Sequence, residues 1–305
     1  MIVREAVFKD VFAFELITRQ STALVVPSQG GKLASFRDRD SGKEYLLQNP
    51  SETFLKTGLS DSFVDGECCG FDDMFPTIDP VSVTDQNGKM LHYPDHGEVC
   101  RVPFDYEATA SSLTLRYVSA YMDYEYVKTF TESEDGALHI AYRITNRSDG
   151  DLDVLWAAHC LIYAEQGGQV LLPFADGETV DVMFDLTHRF KAGERLAYTS
   201  ELLRSEWQEG VPSCKKLYFP RKAPQGFVAY RYPAGDVFAM TFDREMLPCI
   251  GVWENLGSLH GVYCLGLEPA SVGYDTVKNA EAYGQKRPIK QGDTMAFSIT
   301  LSVQK

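Results

Sequence analysis

The stretch EDGALHIAYRITNRSDG, residues 134–150, decides the fold class. Its apolar residues recur at every second position: Leu138, Ile140, Tyr142 and Ile144. This two-residue period is typical of a β-strand with one buried face. The sequences Glu-Asp-Gly and Ser-Asp-Gly bound the strand and are turn-forming. The stretch therefore predicts a half-buried strand between two turns.

The same alternation recurs along the chain. It covers residues 113–117 and 294–303, and a short apolar run at 22–26 ends at Pro27. Residues 32–37 and 44–47 flank Asp-Ser-Gly and predict a hairpin. A short helix is expected only at residues 51–59, with Ser51 as its N-cap. Many strands joined by turns, without an alternation of strands and helices, predict an all-β sandwich or barrel.

Composition bounds the function. The 305 residues include 29 Lys and Arg against 43 Asp and Glu, a net charge of −14. Nucleic acids and anionic membrane surfaces require a cationic face, so we expect neither as a partner. Hydrophobic residues make up 44% and charged residues 24%, which is ordinary globular usage. A chain of this length can bury a core without disulfides or a structural metal, and no composition break divides it, so we expect one domain over residues 1–305.

The compartment is predicted from the absence of targeting signals. The first ten residues carry four charges, unlike a secretory signal peptide. The most apolar segment, residues 154–164, is far shorter than the roughly 20 residues that span a bilayer. Seven cysteines occur without a CxxC pair, so we expect reduced thiols and a cytoplasmic protein. Zinc binding by Cys68 and Cys69 is a weaker alternative, because adjacent cysteines do not have the usual ligand spacing.

Two of the six histidines stand out. His159 lies in the apolar run VLWAAHCLI, where burial lowers the pKa of a histidine. It is either a general acid or a core histidine with a backbone hydrogen bond. His96 lies in YPDHGE and is either oriented by Asp95 and Glu98 toward a ligand or solvated. His92 and His96 could share a metal, but no third ligand is close in sequence.

Carboxylates in apolar surroundings are the other candidates. Glu268 ends the apolar run YCLGLEPA, so it is either a base with a raised pKa or a strand-end carboxylate in water. Trp253 and Glu254 suit sugar binding, since aromatic faces stack on sugar rings while carboxylates bind hydroxyls, or else pack in the core. Asp72 and Asp73 either bind hydroxyls or form a solvated turn. No phosphate-binding glycine loop or serine-hydrolase elbow occurs, so no nucleotide cofactor is expected.

Taken in order, several short motifs resemble the aldose 1-epimerase (galactose mutarotase) family. They are Gly30-Gly31, Phe75-Pro76, His96-Gly97, the strand with His159 and the segment from Trp253 to Glu268. The resemblance covers nearly the whole chain. It implies a single β-supersandwich with a cleft for a monosaccharide, acting without a metal or redox cofactor as a monomer or homodimer.

The resemblance also implies roles. Glu268 would take the proton of the anomeric hydroxyl, His159 would protonate the ring oxygen, and His96 would hydrogen-bond near that oxygen. The residues expected to bind the sugar are Asp72, Asp73, Trp253, Glu254 and, by a looser match, Asp243. The chain departs from the family where an arginine normally follows Phe-Pro, because Asp79 comes there instead. This departure indicates a distinct branch.

Two other functions stay open. A non-catalytic carbohydrate-binding protein could have the same fold, although binding alone does not require an acid and a base. Glycoside cleavage would need two carboxylates at a suitable separation, such as Glu268 with Glu254 or Asp73.

Overall fold

The computed structural model describes residues 1–85 and 87–305. The strands in chain order are β1 (Ile2–Phe8), β2 (Val11–Ile17), β3 (Ser21–Val26), β4 (Lys32–Asp38), β5 (Phe71–Met74), β6 (Val81–Thr84), β7 (Met90–Tyr93), β8 (Asp105–Ala108), β9 (Leu113–Val118), β10 (Tyr124–Glu132), β11 (Leu138–Asn146), β12 (Ala157–Tyr163), β13 (Gln169–Leu171), β14 (Thr179–Asp185), β15 (Arg195–Ala197), β16 (Ser213–Tyr218), β17 (Phe227–Arg231), β18 (Val237–Phe242), β19 (Cys249–Leu256), β20 (Tyr263–Ala270) and β21 (Thr294–Gln304). The described residues include one α-helix, α1 (Val277–Ala282), which precedes β21, and three short 3₁₀ helices (Phe63–Asp65, Val99–Arg101 and Ser200–Leu203).

The strands form two large antiparallel sheets and one hairpin. The larger sheet has eleven strands in the order β1-β2-β3-β4-β5-β12-β20-β19-β16-β14-β15. The smaller has eight, in the order β13-β17-β18-β21-β11-β10-β9-β8, and β6 pairs with β7. The predicted all-β sandwich is therefore confirmed.

Strand β11 shows why the sequence folds this way. Leu138, Ile140, Tyr142 and Ile144 are buried, while the residues between them are more exposed, and the buried Asn146 continues the alternation at the strand end. The buried face packs aromatic rings between the sheets: Tyr142 stacks on Phe297 with centroids 4.8 Å apart. The Trp156 indole N–H donates to the Tyr126 hydroxyl at 2.7 Å, so the large side chains bury their polar atoms with partners.

The helix expected at residues 51–59 is wrong. That segment is irregular, because local side-chain hydrogen bonds satisfy its backbone instead: Asn49 Oδ1 accepts from the Ser51 N–H and Ser51 Oγ donates to the Thr53 carbonyl. The observed helix begins after Thr276, whose hydroxyl accepts from the Asn279 N–H at 3.0 Å. Among the described residues, no helix is long and apolar enough to cross a membrane.

Candidate active site

A row of polar side chains crosses the middle of the larger sheet. On β12, His159 pairs with Asp72 of β5, and Cys160 pairs with Leu267 of β20, which sets Glu268 beside His159. Glu268 in turn pairs with Gly251 of β19, and Gly251 pairs with Tyr218 of β16. Paired residues in antiparallel strands share a face. The row therefore lies on one face, hereafter the site face.

The other face of these strands is the core face, which packs against the smaller sheet. Leu217, Val252 and Leu267 lie on it and belong to the main hydrophobic core. Trp253, Leu161 and Cys264 lie on the site face and belong to a separate small cluster. The site face is thus turned away from the core between the sheets.

His159 is buried without a complete set of partners. Its side chain is 7% exposed, and its Nδ1 has no hydrogen-bond partner among the described residues. Burial, reinforced by His96 and Lys216, holds the pKa of His159 well below its usual value. The ring meets His96 edge-on with centroids 5.1 Å apart. A neutral ring with an open nitrogen is suited to exchange a proton with a ligand.

His96 is fixed by its loop. Its φ of +58° is in the left-handed region, and Gly97 follows with φ +73°. A Cβ on Gly97 would lie 2.2 Å from the Phe75 carbonyl oxygen, so only glycine fits. His96 Nδ1 lies 2.7 Å from Asp95 Oδ1, and Phe63 stacks on the ring at 4.2 Å. These contacts orient the ring toward His159.

Asp95 is the carboxylate that orients His96. Burial alone raises its pKa, but the hydrogen bond with His96 and the Phe63 N–H at 2.8 Å outweigh burial and lower the pKa. An ionised Asp95 favours the tautomer of His96 that carries its proton on Nδ1. The orientation of His96 therefore depends on a charged neighbour rather than on packing alone.

Glu268 is 1% exposed and has a lysine beside it. Burial raises the pKa of Glu268, and Lys216 opposes that rise. Lys216 Nζ lies 2.8 Å from Glu268 Oε2, at ion-pair distance but without hydrogen-bond geometry, so this oxygen has no donor among the described residues. A Cβ on Gly266 would lie 3.0 Å from Oε1, and one on Gly251 3.1 Å from Oε2. The two glycines leave room for the carboxylate.

Asp72 is next to His159 on the site face. Its Oδ2 accepts from the buried Lys32 ammonium, which also donates to the Cys69 carbonyl. Burial raises the pKa of Asp72 and the attraction of Lys32 opposes the rise. Trp253 also lies on this face, half-buried, opposite Lys216 and Gly266. Both residues are placed where they could contact a ligand at His159 and Glu268.

Three expected binding residues lie elsewhere, and these expectations are corrected. Asp73 points to the core face, where Lys128 Nζ lies 2.8 Å away and the Tyr142 hydroxyl donates at 3.1 Å. Glu254 is also on the core face, paired with Lys215. Both follow from strand alternation, which puts neighbours of Asp72 and Trp253 on the opposite face.

The third correction concerns Asp243, which follows β18 in the smaller sheet. Its Oδ1 accepts from the Glu245 N–H at 2.9 Å, so the carboxylate forms a turn.

The sequence did not reveal the other polar residues of the site: the charged Lys32, Lys216 and Asp275, and the neutral Tyr218. The run SCKKLY signals a buried lysine, because a charge in an apolar strand requires a partner. Nothing local marks Asp275, which reaches Lys216 across 59 residues of sequence. Two open grooves of about 400 and 730 Å³ lie beside the hairpin β6–β7, and neither is lined by His96, His159 or Glu268.

No family model and no curated protein sequence matches this chain. Solved structures do. A galactose mutarotase-like protein from Clostridium acetobutylicum has a TM-score of 0.72 and 12% identity, over 99% of this chain and 98% of that one. The aldose epimerase homologue from C. elegans has 0.66 and 13%, over 95% and 98%. The galactose mutarotase related enzyme from Lactobacillus acidophilus has 0.62 and 12%, over 96% and 100%. The chain therefore has the galactose mutarotase-like β-sandwich fold.

Proposed function

We propose that this protein interconverts the α and β anomers of a neutral monosaccharide. The observation that carries the proposal is the pairing of a buried carboxylate, Glu268, with a buried imidazole, His159, on neighbouring strands of one face. Each has a polar atom without a hydrogen-bond partner among the described residues. A bound sugar would supply the missing partners, and the fold supports this choice of ligand.

The reaction moves one proton at each end of the hemiacetal. Glu268 takes the proton of the anomeric hydroxyl while His159 gives one to the ring oxygen, and the bond between C1 and the ring oxygen breaks. The aldehyde rotates, the ring closes on its other face, and both protons return. Positioned proton transfer of this kind contributes about 10²- to 10⁴-fold per group.

The required protonation state predicts a bell-shaped pH profile. The active form has Glu268 ionised and His159 protonated, whereas burial favours the opposite distribution of the same single proton. The rate therefore falls when the pair gains a second proton at low pH and when it loses its only proton at high pH.

The charges of the site support a neutral sugar. The two buried lysines there each already face a carboxylate: Lys32 faces Asp72, and Lys216 faces Glu268 and Asp275. Asp79, which is exposed, adds a further carboxyl, whose pKa is raised by partial desolvation and then by Asp275. A phosphate or uronate would need a cation free to bind it.

The free thiols of all seven cysteines support a reducing, cytoplasmic setting.

The test is NMR exchange of anomeric protons across neutral aldoses, deoxysugars, uronic acids and sugar phosphates. Wild type is compared with Glu268→Gln. We expect accelerated exchange for a neutral aldose and its loss in the variant. Acceleration of anionic sugars alone would contradict the substrate class. Line broadening without acceleration would contradict the enzyme and support the carbohydrate-binding alternative.

A further inference from the structure

Lys216 has contacts that the proposed reaction does not yet use. Its side chain is almost fully buried on β16, with Nζ 2.8 Å from Glu268 Oε2 and 2.7 Å from Asp275 Oδ1. The Tyr218 hydroxyl donates to the same Asp275 oxygen at 2.8 Å. We call Lys216, Tyr218 and Asp275 the lysine clamp. It connects the candidate base to a second carboxylate.

The second carboxylate is held in an unusual conformation. Tyr274 and Asp275 have φ of +70° and +65°, a region that non-glycine residues rarely adopt. The Asp275 carbonyl accepts from the N–H groups of Ile78 and Asp79, each at 3.0 Å, and the Ile78 carbonyl accepts from the His96 N–H at 2.6 Å. The backbone that fixes Asp275 therefore also fixes His96. The clamp and the second histidine are parts of one connected arrangement.

A buried lysine beside one carboxylate would be explained by charge pairing alone. Lys215, its neighbour in sequence, shows that arrangement on the core face, where its ion pair is with Glu254. Lys216 instead divides its charge between two carboxylates, one of which is the candidate base. Sharing weakens the hold on Glu268, which has to accept a proton during the reaction.

We propose that Lys216 is a positioning residue that favours the ionised form of Glu268 and aims its carboxylate at the ligand, and that Asp275 limits this effect. The role rests on the proposed function. The charged and titratable groups near Glu268 are Lys216, Tyr218, Asp275 and His96. His159 lies beside Glu268 by strand register, and Asp79 lies near Asp275. Because Lys216 and Asp275 have opposite charges, their removal has opposite effects on Glu268.

The experiment measures the ionisation of Glu268 directly. Protein labelled with ¹³C at glutamate carboxyls is titrated by NMR, and Glu268→Gln identifies the Glu268 signal. Lys216→Met should move its midpoint up by about one pH unit or more, because an opposite charge within reach is lost. Asp275→Asn should move the midpoint down. Asparagine tolerates a positive φ and keeps an acceptor for Tyr218.

The same variants are measured in the anomeric exchange assay. The high-pH limit of kcat, at which the pair loses its only proton, should follow each midpoint, upward in Lys216→Met and downward in Asp275→Asn, with little change in KM. Lys215→Met is the matched control: it removes a buried charge from the adjacent residue and should leave the Glu268 midpoint in place. Lys216→Arg keeps the charge and should titrate like wild type, so it tests the role even where Lys216→Met fails to fold.

Midpoints that stay unchanged, or that move in one direction in both variants, would overturn the role of Lys216. If wild type exchanges anomers and only the midpoints fail to move, the clamp is wrong and the proposed function stands. If wild type exchanges no sugar, the proposed function is wrong and the positioning role falls with it.

Discussion

Asp72 and Asp73 are adjacent on β5, yet they belong to two different regions of the molecule. Each forms an ion pair with a buried lysine, Asp72 with Lys32 and Asp73 with Lys128. Asp72 lies on the site face beside His159, whereas Asp73 lies on the core face against Tyr142 of the smaller sheet. Lys215 and Lys216 on β16 repeat this division. The same chemistry therefore serves packing on one face and the candidate site on the other.

Because buried ion pairs occur on both faces, a buried ion pair does not by itself identify a functional site. On the core face, Glu254 Oε2 has no hydrogen-bond donor within residues 1–85 and 87–305, and the same is true of Glu268 Oε2 on the site face. Glu268 differs from Glu254 in its neighbours, because the rings of His96 and His159 and the carboxylate of Asp275 lie near it. Substitutions on the core face should therefore lower stability, and substitutions on the site face should lower anomeric exchange. The largest change is expected on the core face.

Asp73→Ala should destabilise the fold strongly. It leaves Lys128 buried without a charge partner, and breaking a buried pair in this way costs about 3–5 kcal/mol. Urea unfolding followed by circular dichroism measures the loss. The control is Asp40→Ala, which removes an exposed partner of Lys305 and should cost less than about 1 kcal/mol. Equal losses in the two variants would contradict the structural role of Asp73.

His159→Asn, on the site face, should lower activity and leave stability nearly unchanged. We expect kcat/KM for anomeric exchange to fall at least about 100-fold, because positioned proton transfer is lost. Stability near neutral pH should change little, since His159 Nδ1 has no hydrogen-bond partner in the part of the chain that the structure describes. Exchange kinetics and unfolding are measured on the same preparation. Retained activity would remove His159 from the mechanism.

The pH dependence of stability should also report His159. Its folded pKa lies well below the unfolded value of about 6.5, so below that pH the unfolded chain binds a proton that the folded chain excludes. The free energy of unfolding should therefore fall as the pH drops below 6.5, by at most about 1.4 kcal/mol per pH unit. Comparing wild type with His159→Asn at pH 7.5 and 5.5 isolates this contribution. Parallel losses in both proteins would contradict a neutral buried His159.

Asp243→Ala should have the smallest effect. Its carboxylate completes a turn through the Glu245 N–H, and a hydrogen bond of this kind contributes about 0.5–1.5 kcal/mol. Anomeric exchange should be unchanged, because the residue follows a strand of the smaller sheet. A tenfold loss of kcat/KM with unchanged stability would return Asp243 to the binding site.

The sequence was sufficient for the fold class, and it also predicted the strand that carries His159. The two-residue period over residues 138–144 predicted a strand that the structure contains, and His159 was predicted in an apolar strand. The same period also separates Asp72 from Asp73 and puts them on opposite faces of the sheet. Lys216 and Asp275 could not be paired from sequence, because sheet topology and a left-handed backbone bring them together.

Two glutamates allow a direct test of whether the site face carries the catalytic base while the core face serves packing. Glu254 and Glu268 lie in neighbouring strands, each beside one of two consecutive lysines, but on opposite faces of the sheet. Anomeric exchange and urea unfolding are measured for Glu254→Gln and Glu268→Gln. We expect Glu268→Gln to lose anomeric exchange and to keep its stability. We expect Glu254→Gln to lose stability and to keep its exchange rate per folded molecule. Equal loss of exchange in both variants, or full exchange in Glu268→Gln, would contradict this division between the two faces.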